Sequence, residues 1–181
     1  YVNGIHVIFW PYGYNAFHVD ITPYLSRESN EISVRLQNLP ESSRWYPGAG
    51  LFRNVRLIET NPVFVPVWGT RITTPYVTDR LANVRLQTTI QNAVGKKIRI
   101  KTVITFNGIG IDSLDNTYDL KHSLPVEQNF TLQNPKLWSP ETPDLYYAHS
   151  EIYADGELAD TYSTRFGIRS IEIVPNIGFL L

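Results

Sequence analysis

The sequence predicts an all-β chain in which an immunoglobulin-like β-sandwich is the largest part, and three observations carry that reading. Ile, Val and Thr supply 17, 14 and 15 of the 181 residues against 7 Ala, a balance that suits pleated strands and leaves little material for helices. Apolar side chains recur at every second position in run after run, which places them on one face of a half-buried strand. Turn dipeptides separate the runs, and no segment shows a convincing helical pattern.

Taken in order, the alternating runs are Phe17 to Ile21, Ile32 to Gln37, Val55 to Ile58, Val84 to Ile90, Ile98 to Phe106, Val126 to Leu132, Tyr146 to Tyr153, Tyr162 to Phe166 and Ile171 to Val174. Asn3-Gly4, Val94-Gly95-Lys96, Asn107-Gly108 and Asp155-Gly156 read as turns, because Gly and Asn tolerate positive φ. A boundary is expected in Asn61-Pro62-Val63-Phe64-Val65-Pro66, where two prolines deny the backbone ladder hydrogen bonds. Residues Trp68 to Val174 then span about 100 residues and about seven strands, the size of an immunoglobulin-like sandwich. The first 60 residues offer too few strands for a sandwich of their own and read as the back half of a larger domain.

Composition narrows the function. Sixteen Lys and Arg against 17 Asp and Glu leave a formal charge of -1, without the basic footprint of a nucleic-acid binder. No run approaches the roughly 18 apolar residues of a membrane span, so no membrane partner is expected. Cys is absent, which removes disulfides, thiol nucleophiles and thiolate metal sites. A chain that opens Tyr-Val-Asn-Gly and holds no Met is expected to be a processed product or a fragment.

Catalytic signatures are missing. His6, His18, His122 and His149 are scattered and read as ordinary surface or strand residues rather than metal ligands. No G-x-S-x-G elbow, P-loop or G-x-G-x-x-G occurs. The acidic stretch from Ile111 to Asp119 lacks the spacing and central glycine of an EF-hand loop and reads as a solvated inter-strand loop. No metal and no cofactor is therefore assigned.

The densest chemistry lies in Ser42 to Asn54. Pro47-Gly48 suits the centre of a type II turn, which would hold Arg44, Trp45 and Tyr46 together at a loop tip. An aromatic face packs on the C–H face of a sugar ring, and a guanidinium donates to hydroxyls or a carboxylate. The alternative is structural: Trp45 caps the end of a sandwich while Arg44 pairs with a neighbouring acid.

In these pieces the chain resembles the non-catalytic N-terminal half of family 2 glycoside hydrolases, most closely the β-galactosidase-like members. The matching segments are Val2-Asn3-Gly4, Pro11-Tyr12-Gly13-Tyr14 with Phe17, Asp20-Ile21-Thr22, Asn30 leading into Ile32-Ser33-Val34, and Ser43 to Val55. A second set comprises Trp68-Gly69-Thr70 with Thr74-Pro75, Leu137 to Tyr146, and Phe166-Gly167-Ile168-Arg169-Ser170-Ile171. The resemblance implies that Tyr1 to Thr60 is the latter part of a sugar-binding, galactose-binding-like jelly roll. It implies a linker over 61–67, an immunoglobulin-like sandwich over 68–174, and the start of a link toward a catalytic (β/α)₈ barrel over 175–181.

The parent would then be a retaining glycosidase whose paired glutamates lie in that barrel, and this chain would supply no catalytic residue. Ser43, Arg44 and Trp45 become the candidate substrate-binding residues, because their loop approaches the barrel's pocket in the family. Carbohydrate and the barrel are the implied partners, and a free-standing carbohydrate-binding or adhesion module is the alternative. Without its earlier strands, the first domain is expected to expose Phe17, Val19, Ile21, Ile32, Val34 and Leu36, and to self-associate or move. Trp138 is expected to be largely buried.

Overall fold

The structure is a computed structural model that describes residues 1–38, 50–122 and 125–180. The chain divides into two compact units, Tyr1–Leu57 and Ile58–Leu181. Nine strands are formed among the described residues, all of them in the second unit: β1 (Thr70–Val77), β2 (Leu81–Thr88), β3 (Lys97–Phe106), β4 (Ile109–Asp119), β5 (Val126–Gln133), β6 (Tyr146–Ala154), β7 (Glu157–Phe166), β8 (Glu172–Val174) and β9 (Gly178–Leu180).

Two antiparallel sheets make the sandwich, one in the order β1-β2-β5 and the other β4-β3-β6-β7, and β8 and β9 form a separate hairpin. Equating β1, β2, β3, β5, β6 and β7 with strands A, B, C, E, F and G gives the immunoglobulin arrangement, with β4 added beside C. Tyr146, at the start of β6, accepts a hydrogen bond of 2.7 Å at its hydroxyl from the Lys136 backbone N–H, as a tyrosine corner does. Asn107-Gly108 and Asp155-Gly156 turn the β3–β4 and β6–β7 hairpins with positive φ at all four residues, as the sequence predicts.

The core forms two apolar clusters. One joins Ala82, Val84 and Leu86 of β2 to Ile104, Phe130, Leu132, Tyr146, Ala148 and Phe166; the other joins Ile98, Ile100, Val126 and Ile152 to Val63, Val65 and Ile90. Between them runs a buried polar layer with a member on each of three strands. Thr102 of β3 donates to Gln128 Oε1 of β5 at 2.6 Å and shares a 2.8 Å bond with Ser150 of β6. Gln128 Nε2 in turn donates to the Ile100 carbonyl and to Asn116 Oδ1, so the amide is satisfied on both sides. Each of these residues occupies an inward position of the alternation where an apolar side chain would be the simplest choice.

Two readings of the sequence are corrected here. The acidic stretch from Ile111 to Asp119 is not a loop: it lies within β4, paired to β3 from Lys97↔Asp119 to Phe106↔Ile109. Its carboxylates are tolerated because β4 is an edge strand with an exposed face, where Asp115 meets Arg99 at 2.7 Å. Conversely, Phe17 to Ile21, Ile32 to Gln37 and Val55 to Ile58 alternate but form no strands. A strand needs a neighbour to complete its ladder, and in the first unit the described residues supply only isolated bridges, Val2↔Ile5 and Val2↔Ile32.

The segment expected as a linker is sewn to the second unit by its own backbone and side chains. Val63 and Val65 are buried, Gln91 N–H donates to the Phe64 carbonyl, and Val65 N–H donates to Asp160 Oδ2. Gly69 follows in a close approach: a Cβ there would lie 2.7 Å from Pro66 and 2.8 Å from the Val65 side chain. This explains the Trp68-Gly69 pair, with Trp68 held at φ 59° and Gly69 N–H bonded to the Pro66 carbonyl.

Candidate functional site

Ser43, Arg44 and Trp45, the substrate-binding residues expected from the sequence, lie outside the described residues. Just after them in the sequence, Leu51, Phe52 and Val55 are exposed, with the Arg53 guanidinium 5.4 Å from the centroid of the Phe52 ring. Arg53 has φ 75°, a turn conformation that an L-residue rarely adopts.

The other motif residues of the first unit have structural work. Asn3 Nδ2 donates to the Tyr24 carbonyl and to Asn30 Oδ1, while Asn3 Oδ1 accepts the Glu31 N–H. Asn30 closes the same knot through Ser26, accepting its N–H and donating to its carbonyl. Asp20, just ahead of the 3₁₀ turn Thr22–Tyr24, accepts the Thr22 N–H, and hydrogen bonds from Thr22 hold its carboxyl below the ordinary value. The first unit also carries exposed aromatics: Trp10 and Phe17 lie 5.7 Å apart at 29°, and Tyr12 and Tyr14 lie 5.8 Å apart at 58°. Their polar edges and apolar faces are the chemistry that a sugar or a protein partner would use.

In the second unit, two of the motif segments meet. The Trp138 N–H donates to the Ile168 carbonyl, the Arg169 guanidinium lies 4.7 Å from the centroid of the Trp138 ring system, and a Cβ at Gly167 would touch Trp138 at 3.0 Å. Trp138 is covered over most of its surface without being fully buried, and the exposed Arg169 lies over its ring. Gly167 is thus the residue that lets the indole lie against the backbone.

Four exposed carboxylates are displaced away from proton donation. Hydrogen bonds lower Asp115 through Arg99, Glu127 through Asn129, and Asp155 through Lys96, and Asp20 is lowered as well. A glycosidic general acid needs the opposite displacement, since it must stay protonated near neutral pH. Among the described residues, no three His, Asp or Glu side chains come together as a metal site.

The comparisons with known proteins agree with this scaffold. The family model of the glycosyl hydrolases family 2 matches residues 65–169, the sandwich and the segment leading into it. The chain belongs to glycosyl hydrolase family 2. A β-galactosidase of Bacteroides ovatus is 33% identical over 188 residues, a match that takes in 100% of this chain and 22% of the relative. A family 2 member from Bacteroides cellulosilyticus matches in structure with a TM-score of 0.87 and 31% identity, over 99% of this chain and 26% of that one. A β-glycosidase from Bacteroides vulgatus gives the same TM-score at 29% identity, over 99% of this chain and 23% of that one. This family 2 chain therefore spans about a fifth to a quarter of the length of these relatives.

What reasoning on the sequence missed is the outer face of the four-stranded sheet. It carries a shallow cleft lined in part by Lys101, His149, Glu151 and Ser163. The signal was present as Tyr147-Ala148-His149, two ring-bearing residues spaced by two on one strand, but only the register across β3, β6 and β7 shows what stands beside them.

Proposed function

We propose that the chain is a non-catalytic portion of a β-galactosidase-like hydrolase that cleaves terminal β-glycosidic bonds with retention. In this reading it supports and shapes the active site of a (β/α)₈ barrel carried elsewhere in the parent. The observation that carries it is the match of the whole chain to 22% of a β-galactosidase. Residues 1–60 are the latter part of a sugar-binding jelly roll, and Ser43, Arg44 and Trp45 are its contacts to substrate. The exposed apolar side chains of Phe17, Ile32, Val34 and Leu36 support this, since one sheet of a jelly roll presents such a face to the other, although Val19 and Ile21, expected to be exposed with them, are partly buried.

Reading the coding sequence beyond Leu181 and expressing both lengths tests the proposal. The 181-residue chain is expected to leave chromogenic β-galactosides, β-glucuronides and β-mannosides intact, and the extended chain, with a (β/α)₈ pattern, to hydrolyse at least one of them. In the extended chain, Arg44→Ala and Trp45→Ala are expected to raise KM. Turnover by the short chain that disappears when one of its own acids is substituted would overturn the reading.

A further inference from the structure

We propose that the outer face of the four-stranded sheet carries a saccharide-binding subsite, built on Tyr147 and His149 of β6 and made of other residues than Ser43, Arg44 and Trp45. Three cross-strand rows place its parts. Thr105, Tyr147 and Arg165 form one row, Val103, His149 and Ser163 the next, and Lys101, Glu151 and Thr161 the third. Tyr147 and His149 point to the same face because they are two residues apart on a strand. Their rings lie within 6° of parallel with centroids 5.8 Å apart, and both residues are exposed.

The hydrogen-bonding groups surround these rings. His149 Nδ1 is tied to Ser163 Oγ at 2.8 Å, which fixes the ring and leaves Nε2 as its other hydrogen-bonding atom. The Ser163 hydroxyl keeps acceptor capacity whichever partner donates. In the next row, Lys101 Nζ lies 3.8 Å from Glu151 Oε2, and Thr161 adds a hydroxyl beyond them. Half-buried Val103 forms an apolar part of the lining between Lys101 and His149.

This set fits a neutral sugar better than an anion. Lys101 stands beside Glu151, and Arg99 on the same strand is bidentate to Asp115, so both of these cations already face carboxylates, while Arg165 beside Tyr147 adds a guanidinium that can donate to hydroxyls. A pyranose needs what is present: a ring face for its C–H surface, and donors and acceptors at a few ångströms for its hydroxyls. The cleft is open, so affinity is expected in the millimolar range.

Titration of the isotope-labelled 181-residue chain with methyl β-D-galactoside and with β-1,4-galactotetraose, followed by amide NMR, tests the subsite. Galactitol serves as an open-chain control. Saturable shifts at Lys101, Tyr147, His149 and Ser163 with the cyclic sugars, weakened about fivefold or more by Tyr147→Ala, are the expected result. His149→Ala provides a second variant, and unchanged melting of both exposed-site variants shows that the fold is intact. No shift at these residues up to about 50 mM, equal shifts with galactitol, or shifts that both variants leave untouched would overturn the proposal.

Discussion

The two units of this chain share an alternating pattern and differ in what covers it. In Ile58–Leu181, two sheets face one another, and Phe130, Leu86, Ile98, Ile100, Ile104 and Ile152 are each at most 2% exposed. In Tyr1–Leu57, Val2 is the one buried residue among those described, while Ile32 is 60% exposed and Val34 48%. The lesson is that alternation specifies a face and not its partner. A strand-like sequence becomes a strand when a neighbouring backbone completes its ladder, and its apolar side becomes core when a second sheet closes over it.

The largest effect expected from this contrast comes from paired truncations. Phe130→Ala should destabilise the second unit by about 3–5 kcal/mol, through lost burial and the cavity left behind. Val34→Ala, on the exposed face of the first unit, should stay within about 0.5 kcal/mol. Chemical denaturation of both variants measures the difference, and equal losses would break the contrast.

A smaller effect is expected in the polar layer of the sandwich. Gln128→Ala removes the acceptor of Thr102 and the donor to Ile100 and Asn116, leaving buried polar groups unpaired at a cost of about 1–3 kcal/mol. Thr102→Val together with Gln128→Leu and Ser150→Ala should recover part of that loss, because removing the partners together leaves fewer orphaned groups. If the triple variant is no more stable than Gln128→Ala, the layer contributes through packing and not through its hydrogen bonds.

The smallest effect concerns pH. The hydrogen bond from Arg99 holds the Asp115 carboxyl below its ordinary value, so the folded chain releases that proton more readily than the unfolded one. The sign follows: its stabilisation is present above the unfolded value of about 3.9 and is lost as pH falls through the lower folded value. Asp115→Asn should therefore lower the melting temperature slightly at neutral pH, where the pair contributes, and converge on the parent chain as pH falls through the lowered folded value, which makes its acid decline shallower. An unaltered acid limb would show that the exposed pair is not coupled to folding.

Much of the second unit was legible in the sequence, because each signal there is local. Asn107-Gly108 and Asp155-Gly156 name their hairpins, and Ile98 to Phe106 and Val126 to Leu132 lie within observed strands. β4 was not legible: Asp112, Asp115, Asn116 and Asp119 have the composition of a loop, and their pairing with β3 is decided by an edge position that composition does not encode. The polar layer was hidden for a related reason. Thr102, Gln128 and Ser150 are far apart in the chain, and nothing local says that an inward Gln will find a Thr on the opposite sheet. The cleft at His149 is legible in hindsight through Tyr147, but Ser163 and Lys101 reach it only through strand order. For Ser43, Arg44 and Trp45, the warrant remains the turn chemistry and the family likeness.

The central claim is that the second unit closes its own core whereas the first presents a face that its described residues do not cover. Hydrogen exchange of the 181-residue chain, read amide by amide, tests it most directly. The account predicts strong protection across β2, β3, β5 and β6, exchanging together near the global unfolding free energy, and weak protection over 17–21 and 32–37. Equally strong protection in both units would contradict it, since the first unit would then hold a closed hydrogen-bonded core of its own.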